Sequence, residues 1–557
     1  MKKFFPAVAT LLISLSLLSI AGGVQAPTTS SAPELVKQAL ESYRTGKLEA
    51  SIRLYQSALQ LDPASDLAYA GLTRAYLKQE QVQNAFETAT KGLAQAPNSA
   101  LAHAALGEVY FRRAQMGESE QEFLKAVNRS NPDPRGYLGL SNLYDAYSLH
   151  AKARAMLEKA HSLDPSDPDI SRDWMHTLNR AERIKWLESY LAAPNDADDQ
   201  ETRESYTNYL DILKERQARP DLTCKLVSNV SSTETSLKPM LTGPTQLHGF
   251  GLEVKINGHS SRLLLDTGAS GLFINSKLAH KANVQRLLST KVGGIGDQKE
   301  TSSYIGYAES IKVGELEFHN CLVEVSDKRS VLGDDGLIGA DVFSHYLVTV
   351  DLLWQKLRLA PLPTRPGEKE RQASLLTDSD SGNGESEASK PASEGQPKAG
   401  TTNASATPPS GPQDRYIAPE MQSYTKIFRF GHELLIPTKV GKAEPKLFLI
   451  DTGATFNSIS PEAAREVTKV HSDYYTTIQG LSGNVKKVYS ADKAVLQFSH
   501  FKQENQDLVT FDLSNISKHT GTEVSGILGF TTLRMLTMTI DYRDGLIDFS
   551  YHPAAER

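Results

Sequence analysis

Two short segments of the 557-residue chain carry the same acidic turn. Asp266-Thr267-Gly268 follows the apolar run Leu263-Leu264-Leu265, and Asp451-Thr452-Gly453 follows Leu447-Phe448-Leu449-Ile450. Paired carboxyl groups suit hydrolysis. When two of them share one proton, the ionised one deprotonates an attacking water and the protonated one donates to the carbonyl oxygen. They must then lie about 3 Å apart, too close for both to ionise. Gly268 and Gly453 have no Cβ, so each loop backbone can come close to its partner. One such tripeptide would be an ordinary turn, because Asp, Thr and Gly all favour turns. Two copies in matching contexts point to a duplicated site.

The elements that must position the two acids are duplicated as well. Ala269-Ser270 aligns with Ala454-Thr455. Ile274-Asn275 aligns with Ile459-Ser460, where the polar residue would cap a short helix and Pro461 would take its first position. Gly336-Leu337-Ile338-Gly339 matches Gly526-Ile527-Leu528-Gly529, and Asp351 and Asp541 again coincide fifteen residues past the leading glycines. Alternating apolar residues over Phe250–Ile256, Ser261–Leu265, Ile311–Leu316 and Cys321–Val325 read as strands. Two β regions result, 221–362 and 415–557. Residues 363–414 between them are rich in Ser, Gly, Pro, Glu and Lys, and no aromatic residue occurs between Gln355 and Arg415. Such a segment cannot build a core and is expected to be a disordered linker.

Upstream the chain repeats. Pro63, Pro97, Pro132 and Pro165 recur at a near-constant interval of about 34 positions. Tyr76, Tyr110 and Tyr144 share one slot, and Ala58, Ala126 and Ala160 another, with Leu106-Gly107 and Tyr55/Phe123 filling further ones. This pattern resembles the tetratricopeptide repeat, whose helix–turn–helix units bury their faces by stacking. Four units over 32–167, capped by an amphipathic stretch Asp169–Ala193 and a polar helix Asp196–Arg216, give an all-α domain over 32–217. The resemblance implies a groove that takes a protein segment.

The β regions resemble the aspartic proteases, in particular the retropepsin-like lobe, over most of the length of each. That family builds a lobe from an Asp-Thr-Gly loop after an apolar strand, a flap hairpin, and an apolar-apolar-Gly segment beneath the loop. Asp266 and Asp451 are then the catalytic pair, and Thr267 and Thr452 hydrogen-bond across the loops. The substrate-binding flap candidates are Val292-Gly293-Gly294-Ile295-Gly296 and Gln479-Gly480-Leu481-Ser482-Gly483. Retroviral members pair an Asp after the loop with an Arg after the apolar-apolar-Gly segment. Here Ser270 and Thr455, and Ala340 and Phe530, fill those slots, so no charge is stranded. The implied fold is a multidomain chain: an all-α tetratricopeptide-repeat solenoid followed by two all-β acid-protease lobes. The implied activity is that of an aspartic endopeptidase needing no metal or organic cofactor.

Composition limits the alternatives. Lys+Arg 60 against Asp+Glu 66 leaves a formal charge of −6, without the basic excess that nucleic-acid binding requires. Two cysteines rule out a disulfide-dense scaffold. Both lie in the first β region, where Cys224 and Cys321 are either bridged or buried as thiols. The 14 histidines include no H-E-x-x-H, and His280, His319, His345 and His500 have no recurrent ligand spacing. No G-x-S-x-G elbow and no phosphate-binding loop is present. Lys2 and Lys3, the apolar run Ala7–Ile20 and the small residues around Val24-Gln25-Ala26 read as a signal peptide over 1–26. The mature chain is expected to be exported, periplasmic or secreted, with no stable membrane span. Two lobes in one chain favour a single monomeric active site over lobes that dimerise between chains. A second reading keeps the same folds as a silent scaffold with a peptide-binding cleft.

Overall fold

Helices occupy the chain from Ala32 to Ala218, and strands dominate beyond it. The structure is a computed structural model that describes residues 30–192, 200–220, 223–242, 244–292, 301–326, 335–366, 414–480 and 483–551. The expected signal peptide and most of the expected linker, 367–413, lie outside these residues.

Four antiparallel pairs open the fold: α1 (Ala32–Arg44) with α2 (Leu48–Leu61), α3 (Asp66–Lys78) with α4 (Val82–Gln95), α5 (Ala100–Arg112) with α6 (Met116–Val127), and α7 (Pro134–Ala146) with α8 (His150–Leu163). Each pair turns on one residue of positive φ, evenly spaced along the chain: Gly46 (73°), Glu80 (61°), Ala114 (59°) and Ser148 (58°). The left-handed residue ends the first helix and reverses the chain. Ser65 and Ser99 cap α3 and α5 by accepting from Ala68 N and Ala102 N, both at 3.3 Å. Ala58, Ala126 and Ala160 are buried, Ala126 lying against Gly136 of the following pair. Arg74 pairs with Glu108, and Arg135 with Asp167 and Asp169, tying successive repeats together.

The stretch Asp169–Ala193 is not one helix. It divides into α9 (Pro168–Met175) and α10 (Arg180–Ala192), followed by α11 (Gln200–Ala218). Asn179 causes the break. Its side-chain oxygen accepts from Glu182 N (3.0 Å), while Glu182 accepts from Asn179 N (3.3 Å). That reciprocal cap starts a new helix inside an amphipathic pattern that runs through it.

Each β lobe is built around a parallel pair. Leu264, Leu265 and Asp266 lie beside Leu337, Ile338 and Gly339; Phe448, Leu449 and Ile450 lie beside Gly526, Ile527 and Leu528. The apolar-Gly segment therefore runs beneath the acidic turn in both lobes. Ile311–Leu316, read as one strand, is a hairpin corner. The chain reverses at Gly314 (φ 57°), and Val313 pairs with Leu316. Both of those residues are buried, so the alternation hides the two-residue turn.

One antiparallel sheet joins the lobes. Tyr346–Asp351 pairs with Thr537–Asp541, matching Leu347 with Asp541, Thr349 with Thr539 and Asp351 with Thr537. Asp351 and Asp541 are the equivalent residues of the two lobes, so the pairing is the self-complementary kind found across a two-fold axis. Each acid also closes the turn after its strand, accepting from Trp354 N (2.8 Å) and Asp544 N (3.0 Å) respectively. Cys224 and Cys321 are disulfide-bonded, which fastens the segment after α11 to the strand Leu316–Ser326.

The ends of the expected linker are held in place. Asp544 is completely buried and accepts from the Arg365 guanidinium and from Tyr416 N (3.0 Å). Asp414 accepts from Ala151 N and Lys152 N at the start of α8 (2.8 and 2.9 Å). The chain thus leaves and re-enters the fold at one place, and the linker need not span the lobes.

Candidate active site

The two parallel pairs end at the same spot, so the two acidic turns face each other. Thr267 and Thr452 lock them. Thr267 Oγ1 donates to Ile450 O (2.8 Å) and accepts from Thr452 N (3.0 Å). Thr452 Oγ1 donates to Leu265 O (2.9 Å) and accepts from Thr267 N (3.0 Å). These threonines are 1% and 2% exposed, so water cannot replace the bonds. Gly268 and Gly453 are required by the approach. A Cβ on Gly268 would sit 2.6 Å from the Asp451 carboxyl carbon, and one on Gly453 would sit 2.5 Å from that of Asp266.

The lock sets the Asp266 carboxyl beside Gly453 and the Asp451 carboxyl beside Gly268, close enough for the two acids to interact. Gly268 N donates to Asp266 Oδ1 (2.8 Å), while Gly453 N and Ala454 N donate to Asp451 Oδ1 (2.8 and 2.9 Å). Burial, and then the neighbouring carboxylate, hold Asp266 well above the usual carboxylate range. Burial also raises Asp451, against the N–H groups that favour its charge. Both shifts favour holding a proton over ionising both carboxyls.

Two supports escaped the sequence reading. In the first lobe the buried Asp341 accepts from Ser270 Oγ (3.0 Å) and Gly271 N (3.0 Å), immediately after the acidic turn. Burial pushes it up to about 6. In the second lobe Asn457 does the equivalent work: its oxygen accepts from Gly529 N (2.9 Å) and its amide donates to Thr532 Oγ1 (2.7 Å). In the first lobe Asp341 therefore ties down the Ser270 slot, while in the second Asn457 holds Gly529 and Thr532 beside the Thr455 and Phe530 slots. An acid directly after the apolar Gly336–Ala340 run was the available signal for Asp341. His432, in the turn before strand Glu433–Val440, reaches across the lobe boundary to the Gly268 backbone. Burial, then His519 and Arg429, lower it to about 4, so it is neutral above that pH.

Of the flap candidates, Gly293, Gly294, Ile295 and Gly296 lie outside the described residues, between strands Gln285–Val292 and Thr301–Val313. In the second lobe Gln479 pairs with Asn484 and Gly480 with Gly483. Leu481 and Ser482 at its tip lie outside the described residues.

Residues 252–342 and 436–532 each match the aspartyl protease family, and residues 43–108 match the tetratricopeptide repeat. The chain carries tetratricopeptide repeats fused to two aspartyl-protease lobes. Among curated proteins it is similar to DNA damage-inducible protein 1 of Chaetomium globosum, 26% identical over 240 residues, 43% of this chain and 47% of that one. It is also similar to DNA damage-inducible protein 1 of Cryptococcus neoformans (30% over 110 residues, 19% and 24% of the two chains). A third relative is the UBA domain-containing protein Mud1 of Schizosaccharomyces pombe (26% over 157 residues, 28% and 46%). The chain spans less than half the length of these relatives.

Proposed function

We propose that this chain is an exported aspartic endopeptidase with one active site per molecule, whose repeats recruit a protein partner or substrate. The observation that carries the reading is the cross-lobe threonine lock, which sets Asp266 and Asp451, one from each lobe, against the backbone of each other's turn. A water held between them loses a proton to the ionised carboxylate as its oxygen attacks the scissile carbonyl. The other carboxyl gives its proton to the carbonyl oxygen. The tetrahedral diol then collapses: the C–N bond breaks, the nitrogen takes the proton held by the first acid, and the diol hydroxyl returns one to the second. The shared proton is restored at the end of the cycle. No metal or organic cofactor takes part in this sequence of steps.

Export is supported by the basic, apolar and small-residue order of residues 1–26, and a Cys224–Cys321 disulfide suits an oxidising compartment. Recruitment is supported by the repeat match and by the extended surfaces that such stacks present. The test is incubation of the purified chain with a varied peptide mixture from about pH 3 to 7, the range in which such a dyad titrates. New termini should appear by mass spectrometry in wild type and be absent in Asp266→Asn. A well-folded wild type that cuts nothing over this range would give way to the silent, peptide-binding reading.

A further inference from the structure

The helical repeats do not hang beside the lobes. They share an apolar cluster with the second one. Phe111, Met116, Leu143 and Tyr147 come from the helical side. The Phe111 ring meets Phe430 edge-on at 6.2 Å, and Tyr147 meets Phe428 at 5.4 Å. Polar bonds fix the same contact. Thr522 Oγ1 donates to Phe111 O (2.6 Å), Glu523 N to Arg112 O (3.0 Å), and the Arg112 guanidinium to Ser517 O (3.3 Å). Phe111 and Arg112 end α5; Phe111 O also accepts from Ala114 N (3.0 Å), and Arg112 O finds its partner in the lobe. The lobe therefore caps α5, using the segment that leads into Gly526–Leu528 under Asp451.

The cluster continues to the site itself. It includes Ala454, two residues past Thr452, and Ile478 and Val485 at the base of the 479–484 hairpin. Val485 N donates to Ile478 O (2.9 Å) and closes that base. A hairpin of two residue pairs is not stable by itself, so its position depends on what it packs against. On the first lobe, α11 lies against strand Gln285–Val292, and the Arg219 guanidinium sits over the Tyr307 ring at 5.4 Å. The helical part thus meets the strand Gln285–Val292 of the first lobe and shares one apolar cluster with the base of the second-lobe hairpin.

We propose that the repeats are a positioning element of the protease lobes: through Phe111 and Tyr147 they fix the base of the 479–484 hairpin and the loop after Asp451. The kinetic consequence rests on the peptidase reading; the positional one does not. Hydrogen exchange on the full chain, read by mass spectrometry, separates them. In Phe111→Ala, amides of 478–480 and 483–485 should exchange about tenfold faster than in wild type, with a smaller increase in Thr522→Val and near-wild-type rates in Phe111→Leu. Leu67→Ala, on an exposed position of α3, should change nothing. Peptide KM should rise about fivefold in Phe111→Ala with kcat changed less than twofold, because the hairpin holds substrate and moves no proton. If Phe111→Ala does not fold, Thr522→Val, which keeps the side-chain shape, decides. Wild-type exchange at 478–480 and 483–485 in the folded variants would overturn the proposal, whether or not the protein turns over peptides.

Discussion

Each threonine of the acidic turns uses its hydroxyl twice, once as donor and once as acceptor across the lobe boundary. Thr452→Val keeps the shape and removes both bonds, leaving Leu265 O and Thr267 N buried and unmatched. Each such group costs about 1–3 kcal/mol. The variant should therefore lose at least about 2 kcal/mol of stability, measured by chemical denaturation, and Thr267→Val should match it. A loss below about 0.5 kcal/mol, no more than an ordinary surface substitution costs, would mean that the lock is not what holds the turns together. At this scale the sequence was informative where a feature is duplicated. The acids, threonines and glycines stand out because each occurs twice in the same frame. Asp341 and Asn457 do not, because the two lobes brace their loops with different residues from different segments, and no internal alignment pairs them.

Secondary elements were legible where one periodicity runs without interruption and obscure where a turn sits inside it. The repeat period was visible in its prolines and alanines, yet Asn179 divided a continuous amphipathic stretch and Gly314 a continuous alternating one. The strand Glu433–Val440 carries a further consequence. Glu433 is buried, and burial raises it from the usual carboxylate range to about 8. Between about pH 4.5 and 8 the unfolded chain ionises this group and the folded chain does not, so stability falls as pH rises through that window and levels off above it. Glu433→Gln should flatten this slope and raise the melting temperature more at pH 8 than at pH 5, as read by thermal unfolding at both values. An equal change at the two pH values would show that Glu433 is ionised in the folded protein.

At the scale of the molecule, the lobes pair like two copies of one subunit within a single chain. The order of the domains could be read from composition, but their docking could not. Phe111 and Tyr147 look like any helix-surface aromatics until Phe430 and Phe428 are brought against them. That docking makes deletion of the helices a poor test of recruitment, because it strips the cover from Leu435, Leu447 and Phe511; the deleted protein should aggregate. The linker behaves differently. With Arg365 and Tyr416 both on Asp544, replacing 367–413 by about eight Gly/Ser residues should leave the melting temperature within about 2 °C of wild type. A large drop would place a structural role in the removed segment.

The central claim is one dyad, shared within one chain, and peptide turnover by single, double and mixed variants tests it most directly. Asp266→Asn and Asp451→Asn should each lose more than about a thousandfold in kcat, and the double variant little more, because the two carboxyls act as a unit. Mixing the two single variants should restore nothing, since each molecule contains both lobes of its own site. Substantial turnover by either single variant, or recovery in the mixture through exchange of lobes between chains, would contradict the account.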